Sequence, residues 1–351
     1  MAHSPPVGTA LQDLVRHCHS GLDAPDLHRR LLRSLRRLVP ADAAFFASAD
    51  PATLLFTGGF AEEPLAGATP LFLENEFGRA DVNKFATLAT SSGPVASLDS
   101  VTCGDRFASP RYREIMRPLG LGDELRVALL TGSQCWGYLC LHRADGPSGF
   151  SEPERALVAS AAPHLAHALR VALLVGDRSA APRAREPGVI VLADDLGVVA
   201  VTAQASEYLS QLEPGIGVPL PMCIYAAAAA LRAIENGNSA PGSVPTTRVR
   251  ARTGQWLTVH AARLNGAAGE QGITVVIDRA DARSTLALRL SAHGLSPRED
   301  EVATLVLRGS STRVISATLH ISEHTVQDHL KAVFDKVGVR SRRELIAAML
   351  T

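Results

Sequence analysis

The stretch Leu319-His320-Ile321-Ser322-Glu323-His324-Thr325-Val326-Gln327-Asp328-His329-Leu330-Lys331 decides how the C-terminal part of this 351-residue chain folds. Ile321-Ser322 reads as a staple-like hydrophobe and an N-cap, opening a helix that Gly338 ends. At about 100° per residue, Val326, Leu330, Val333, Phe334 and Val337 share one apolar arc. His324, Gln327, Asp328 and Lys331 fall on the opposite arc. Upstream, Ser311 or Thr312 opens a shorter helix with Val314, Ile315 and Leu319 expected inward. Before it, Ser296-Pro297-Arg298-Glu299 is a capping box with proline at the first helical position. That helix turns Val302, Leu305 and Val306 inward and stops at Gly309. Downstream, Ser341-Arg342-Arg343-Glu344 is another capping box, for a helix expected to bury Leu345, Ile346 and Met349. Four short helices, the second and third joined by a tight turn, have the layout of a helix-turn-helix.

Every member of the outer arc can hydrogen-bond, as side chains presented to base edges in a major groove must. The free N–H groups at the start of that helix suit a phosphate. Residues 295–351 carry eight basic and seven acidic side chains, a net of +1 with histidines neutral. One copy should therefore bind DNA weakly, and two copies on a two-part site are expected. Leu295-Ser-Pro-Arg-Glu-Asp-Glu-Val302, the quoted stretch from Leu319 to Leu330, and Lys336-Val-Gly-Val-Arg-Ser-Arg-Arg-Glu-Leu345 closely resemble the LuxR-type helix-turn-helix family of bacterial transcription regulators. The resemblance implies double-stranded DNA as partner, with phosphate contacts at Thr325 and the backbone near Ser322. It also implies a phosphate-facing cation at Arg313 and base-facing side chains at Gln327, Asp328 and Lys331, with His324 on the same face. The fourth helix resembles the one through which such domains pair into a homodimer. Two positions depart from the family pattern. Val314 stands where an acidic residue is usual, and Asp328 where a neutral one is usual. An aspartate in the groove can accept from a cytosine amino group but repels phosphates, which leaves the operator preference open.

Elsewhere, 46% hydrophobic and 20% charged residues mark a globular chain. Thirty-five basic side chains against thirty-five acidic ones exclude a polybasic protein that coats nucleic acid by bulk charge. Stretches 176–187 and 281–294 read as linkers, dividing the chain into 1–178, 188–282 and 295–351. In the first segment Leu27, Leu31, Leu35 and Leu38 recur at helical spacing. Strands are expected at 43–47 and 54–57, and a hairpin joins 125–131 to 135–142 through Gly132-Ser133. Ser151 and Glu154 have capping-box spacing at the head of a long helix. This pattern resembles a GAF domain over about residues 10–175. The second segment reads as strands 189–192 and 198–202, helices 204–212 and 223–235, and strands 246–252, 256–263 and 272–277. That order, with Val189-Ile-Val-Leu-Ala-Asp-Asp-Leu-Gly197 and Arg252-Thr-Gly-Gln-Trp-Leu257 as landmarks, resembles a PAS domain. The expected architecture is multidomain: two α+β sensory domains with antiparallel sheets flanked by helices, then an all-α four-helix domain.

Five scattered cysteines argue against a disulfide framework and fit a reducing cytoplasm. The start lacks the pattern of a secretion signal. The longest apolar stretch, 156–175, is broken by Pro163, His164, His167 and Arg170, so no membrane span is expected. No metal site is expected either. Cys135 and Cys140 lie five apart on a strand and face opposite sides, and His17, Cys18, His19, His164 and His167 read as packing groups. With lysine only at 84, 331 and 336, no phosphate-loop motif exists, and neither G-x-S-x-G nor H-E-x-x-H occurs. Hence no catalytic residues, enzyme activity or cofactor are expected. The GAF and PAS resemblances imply a small-molecule ligand held beside a sheet, or platforms that only dimerise or bind another protein. RNA polymerase is a further candidate partner. Leu286 and Leu290 leave the second linker open: either a helix that pairs with its twin, or a flexible tether.

Overall fold

The computed structural model describes residues 7–20, 24–174, 186–215, 217–238, 243–265 and 271–350. Residues 1–279 and 280–351 form two compact units. The linker expected at 176–187 lies almost wholly outside the described residues.

The first unit opens with helices α1 (Val7–Cys18) and α2 (Ala24–Arg36). Five strands follow: β1 (Ala43–Ala49), β2 (Phe56–Ala61), β3 (Val95–Ser97), β4 (Leu121–Thr131) and β5 (Gln134–Ala144). They form an antiparallel sheet in the order β2-β1-β5-β4-β3. Apart from β3, residues 66–119 hold short helical turns. Helix α3 (Glu152–Ala172) then packs on β4 and β5 beside α1 and α2. It starts at the expected capping box of Ser151 and Glu154. The second strand lies later than the sequence suggests. Asp50 closes a turn by accepting from Leu54 N at 2.7 Å, and Leu54 sits at φ 62°, outside any strand. The strand instead runs through Gly58 and Gly59, where a Cβ at Gly58 would meet Glu213 Oε2 at 2.4 Å.

A second five-stranded sheet has the same connectivity: β6 (Gly188–Leu192), β7 (Val198–Val201), β8 (Thr246–Arg250), β9 (Trp256–Asn265) and β10 (Gln271–Arg279), ordered β7-β6-β10-β9-β8. Between β7 and β8 come α4 (Ala203–Gln211) and α5 (Met222–Glu235). Every residue of α5 from Met222 to Ala230 is buried. A helix apolar all round must be covered all round, and α5 packs against β9 on one side and β2 on the other. Its alanine run keeps it thin enough for both, so the two sheets share one continuous apolar core. Arg248 adds a tie, donating through Nε and Nη2 to the buried Asp50 at 2.8 and 2.6 Å.

The second unit holds five helices, one more than expected: α6 (Ala282–Ala292), α7 (Pro297–Leu307), α8 (Thr312–Leu319), α9 (Glu323–Val337) and α10 (Arg342–Leu350). The extra one is the second linker. Asp281 caps it by accepting from Ser284 N at 2.7 Å. Its leucines are not left for a twin: Leu290 is in the core of this unit, Leu286 packs at its edge, and Arg289 donates to the Ala348 and Met349 carbonyls of α10. Leu290, Val302, Val306, Ile315, Val326, Leu330, Val333, Leu345 and Met349 make the core. Two positions expected inside are outside. Val314 is 51% exposed and Ile346 36% exposed, because each short helix has room for one inward stripe, already filled by Ile315 on α8 and by Leu345 and Met349 on α10. Among the described residues no helix is long and apolar enough to cross a membrane.

Candidate nucleic-acid interface

Helix α9 is fixed from both ends. Ser322 Oγ accepts from Thr325 N at 3.0 Å at its start, and Gly338 closes it at φ 76°. The turn from α8 passes through His320 at φ 53°, and Ile321 N donates to Ser316 O at 3.2 Å. The buried face of α9 carries Val326, Leu330 and Val333. His324, Gln327, Asp328 and Lys331 are all exposed on the other side, where the sequence put them, and His329 is half-buried at the edge. Ser322 is exposed at the N-terminus, Thr325 is half-buried beside it, and Arg313 is exposed on α8. Arg313 and Lys331 make no hydrogen bond or ion pair with any described residue. His324 Nε2 lies 3.8 Å from Asp328 Oδ2.

Thr312, read from the sequence as an alternative to Ser311 for opening α8, ties three helices while Ser311 is the cap. Its Oγ1 accepts from Gln327 Nε2 at 3.3 Å and from Arg342 Nη2 at 2.9 Å. Behind the face, Lys336 Nζ donates to Glu299 Oε2 at 2.6 Å, and Arg298 Nη2 to Leu319 O at 2.6 Å. Burial would raise the Glu299 carboxyl, but the Lys336 contact and the Ser296 backbone hold it below its ordinary value. Rigid support of this kind lets an exposed polar face keep one geometry toward a ligand.

The first unit holds a second candidate, a cavity of about 40 Å³ against the inner face of the first sheet. Phe45, Phe56, Phe72, Phe85 and Met222 line its apolar side. Its polar side is a buried ion-pair network: Arg111 to Glu124 at 2.6 Å, Arg126 to Glu124 at 3.0 Å and Arg126 to Glu76 at 2.6 Å. Burial would raise the Glu124 carboxyl, but the two guanidiniums hold it well below the usual range. The sequence reading missed this network. Its one signal was Glu124 and Arg126 alternating at the head of a strand whose remainder is apolar. Cys135 was expected to face away from Cys140, but a register shift at Leu129/Leu130 puts both in one core cluster, where the Cys135 thiol donates to Gly137 O at 3.3 Å.

A capped helix pair with a polar, unencumbered outer face defines a helix-turn-helix DNA-binding domain. Residues 293–349 match the family described as bacterial regulatory proteins, luxR family, and residues 23–169 match the GAF domain. Over 56 residues the chain is 36% identical to the spore germination protein GerE of Bacillus subtilis (strain 168), covering 16% of this chain and 76% of that protein. It is 38% identical over 56 residues to the probable HTH-type transcriptional regulator GfsR of Streptomyces halstedii, 16% of this chain but only 23% of that one. Among solved structures, Escherichia coli SdiA aligns over 97% of this chain and 95% of its own at a TM-score of 0.35 and 11% identity. The chain belongs to the luxR family of bacterial regulatory proteins, and it is a transcriptional regulator with a GAF domain ahead of its helix-turn-helix.

Proposed function

We propose that the protein is a cytoplasmic, homodimeric regulator that reads a two-part operator with the outer face of α9. Its segments are 1–178, GAF-like; 188–282, PAS-like; and 295–351, LuxR-type. Gln327, Asp328 and Lys331 face base edges, Arg313, Thr325 and the backbone at Ser322 face phosphates, and His324 flanks them. The observation that carries this reading is the exposure of His324, Gln327, Asp328 and Lys331 on α9 opposite the buried Val326, Leu330 and Val333. The test is fluorescence anisotropy on DNA selected by the protein from a random pool and on unselected DNA. Gln327→Ala or Lys331→Ala should cost about 1–3 kcal/mol on the selected site. Arg313→Ala should weaken both DNAs alike and flatten the salt dependence. Equal losses on both DNAs for the Gln327 and Lys331 variants would sink the base-reading assignment.

The first unit receives the signal, and its cavity is the place for it. A second reading, in which residues 1–279 only dimerise or bind another protein, draws support from the small size of that cavity. At about 40 Å³ it is far below the roughly 300–1,000 Å³ of an organic-ligand pocket. Native mass spectrometry of the purified chain separates the two: a bound organic molecule supports an enlarged pocket, and a bare chain favours the platform.

A further inference from the structure

The register of the first sheet puts four unlike side chains in one square. Glu124 lies opposite His142 and Arg126 opposite Cys140, and residues two apart on a strand share a face. All four are at most 3% exposed. The second sheet has the same strand order, but its matching strands turn Leu257, Val259 and Ala261, and Ile273, Val275 and Ile277, into the core. Among the described residues, the buried ion pairs of a sheet's inner face belong to the first sheet.

Three of those groups converge. Cys140 Sγ is 3.1 Å from His142 Nε2 and 3.2 Å from Glu124 Oε1, and His142 Nε2 is 3.8 Å from the same oxygen. A tetrahedral ion with bonds of about 2.3 Å to sulfur and 2.0–2.2 Å to nitrogen and oxygen sets its ligand atoms roughly 3.3–3.6 Å apart. The three observed edges bracket that range. Around the three groups, the carboxylates of Glu76, Asp81 and Glu124 face the guanidiniums of Arg111 and Arg126, and the Lys84 ammonium, donating to the Asn75 and Arg79 carbonyls, feels Glu76 and Asp81 as well. A divalent cation bound by one thiolate adds a single net positive charge to this set. The cavity is lined by Glu124, Cys140 and His142. Its volume of about 40 Å³ suits about three waters, each needing roughly 10–15 Å³.

We propose that Glu124, Cys140 and His142 bind one divalent transition-metal ion of borderline softness, of the Zn²⁺ or Fe²⁺ class, with a fourth position open to the cavity. The thiolate–imidazole–carboxylate donor set selects such an ion over Mg²⁺ or Ca²⁺. Binding displaces the Cys140 thiol proton to solvent. This names the signal for the site proposed above and rests on that reading only for its link to DNA binding.

Co²⁺ is the probe, added without oxygen to the full chain carrying Cys103→Ser, which removes the exposed thiol. The expected result is a 1:1 complex with a sulfur-to-cobalt charge-transfer band. Adding Cys140→Ser should remove the band and weaken Co²⁺ binding more than roughly tenfold, and His142→Gln should weaken it comparably. No binding, a complex without the band, or a band that survives Cys140→Ser overturns the proposal. Should Cys140→Ser fail to fold by circular dichroism, X-ray absorption at the cobalt edge of the Cys103→Ser protein decides: one sulfur neighbour supports the site, none overturns it. Operator affinity of the metal-free sample is measured separately, so the metal site can fail while the DNA-binding reading stands, and the reverse.

Discussion

The 1–279 unit and the 280–351 unit bury apolar cores by different means. In the first, the core joins residues far apart in the chain: α5 is clasped between two sheets, and Arg126 pairs with Glu76 across fifty positions. In the second, the core is built by short helices that are started by Ser296, Ser311 and Ser322 in turn. A fold assembled from distant contacts can enclose ionised groups, because several elements supply their partners together. A fold of short capped helices keeps its polar groups outside, where they can meet DNA. The comparison predicts that single changes will hurt the two units in different ways.

The largest effect belongs to the buried network. Arg126→Met removes the shared partner of Glu76 and Glu124 and leaves carboxylates uncompensated in the core, which should cost about 3–5 kcal/mol. Both tryptophans, Trp136 and Trp256, lie in the first unit, so urea unfolding followed by tryptophan fluorescence reads this unit alone. A loss below 1 kcal/mol would mean that water reaches the network. In the second unit the matching test is apolar. Leu330→Ala on α9, 1% exposed, should cost about 2–5 kcal/mol through lost burial and a cavity. Amide exchange of the 297–350 helices in the full chain should rise while tryptophan unfolding stays put. If both units lose stability together, the division into two kinds of core fails.

These two residues also mark what could be read from the sequence. Leu330 was placed by its 3.6-residue period, and the capping boxes at Ser151 and Ser296 by spacing of three; both are local signals, and the structure keeps them. The hairpin at Gly132 and all five strands of the second sheet were legible for the same reason. The Glu76–Arg126–Glu124–Arg111 network was not, since nothing local says which distant carboxylate meets which guanidinium. Nor was the membership of α6 in the C-terminal core, which depends on Arg289 reaching α10 some sixty residues on. The exposed polar face of α9 was legible because one helix carries it; the tie that Thr312 makes, beyond its reading as a possible helix start, was not, because it spans three helices.

A pH experiment probes the first unit further. His28 is fully buried against Phe46, and burial pulls its imidazole down to about 4 from 6.5. The folded state therefore keeps it neutral while the unfolded chain takes a proton below 6.5. Stability is full above that value and is lost as pH falls toward 4, by about 3 kcal/mol over the window. His28→Phe should lessen the fall of the tryptophan-detected urea midpoint between pH 6.5 and 4 without abolishing it, because burial also pulls the His142 imidazole down to about 4. An unchanged slope would assign the acid sensitivity to other groups.

The smallest effect tests the second unit at its surface. Helix α8 has Ser311 as N-cap and no acidic residue in its first turn, and Val314 sits at the third helical position, 51% exposed. Val314→Glu would complete the capping box that α7 already has at Ser296 and Glu299. It would also put a negative charge near the positive end of the helix dipole. Together these should stabilise the unit by about 0.3–1 kcal/mol. Were Val314 inside, as the sequence alone suggested, the same change would bury an unpaired carboxylate and unfold the domain. The new charge lies one residue from Arg313, so it should also weaken binding to all DNA slightly and in a salt-dependent way. Slower amide exchange in α8 with modestly weaker DNA binding is the expected pair of results. Faster exchange throughout α8 and α9 would place Val314 in the core after all.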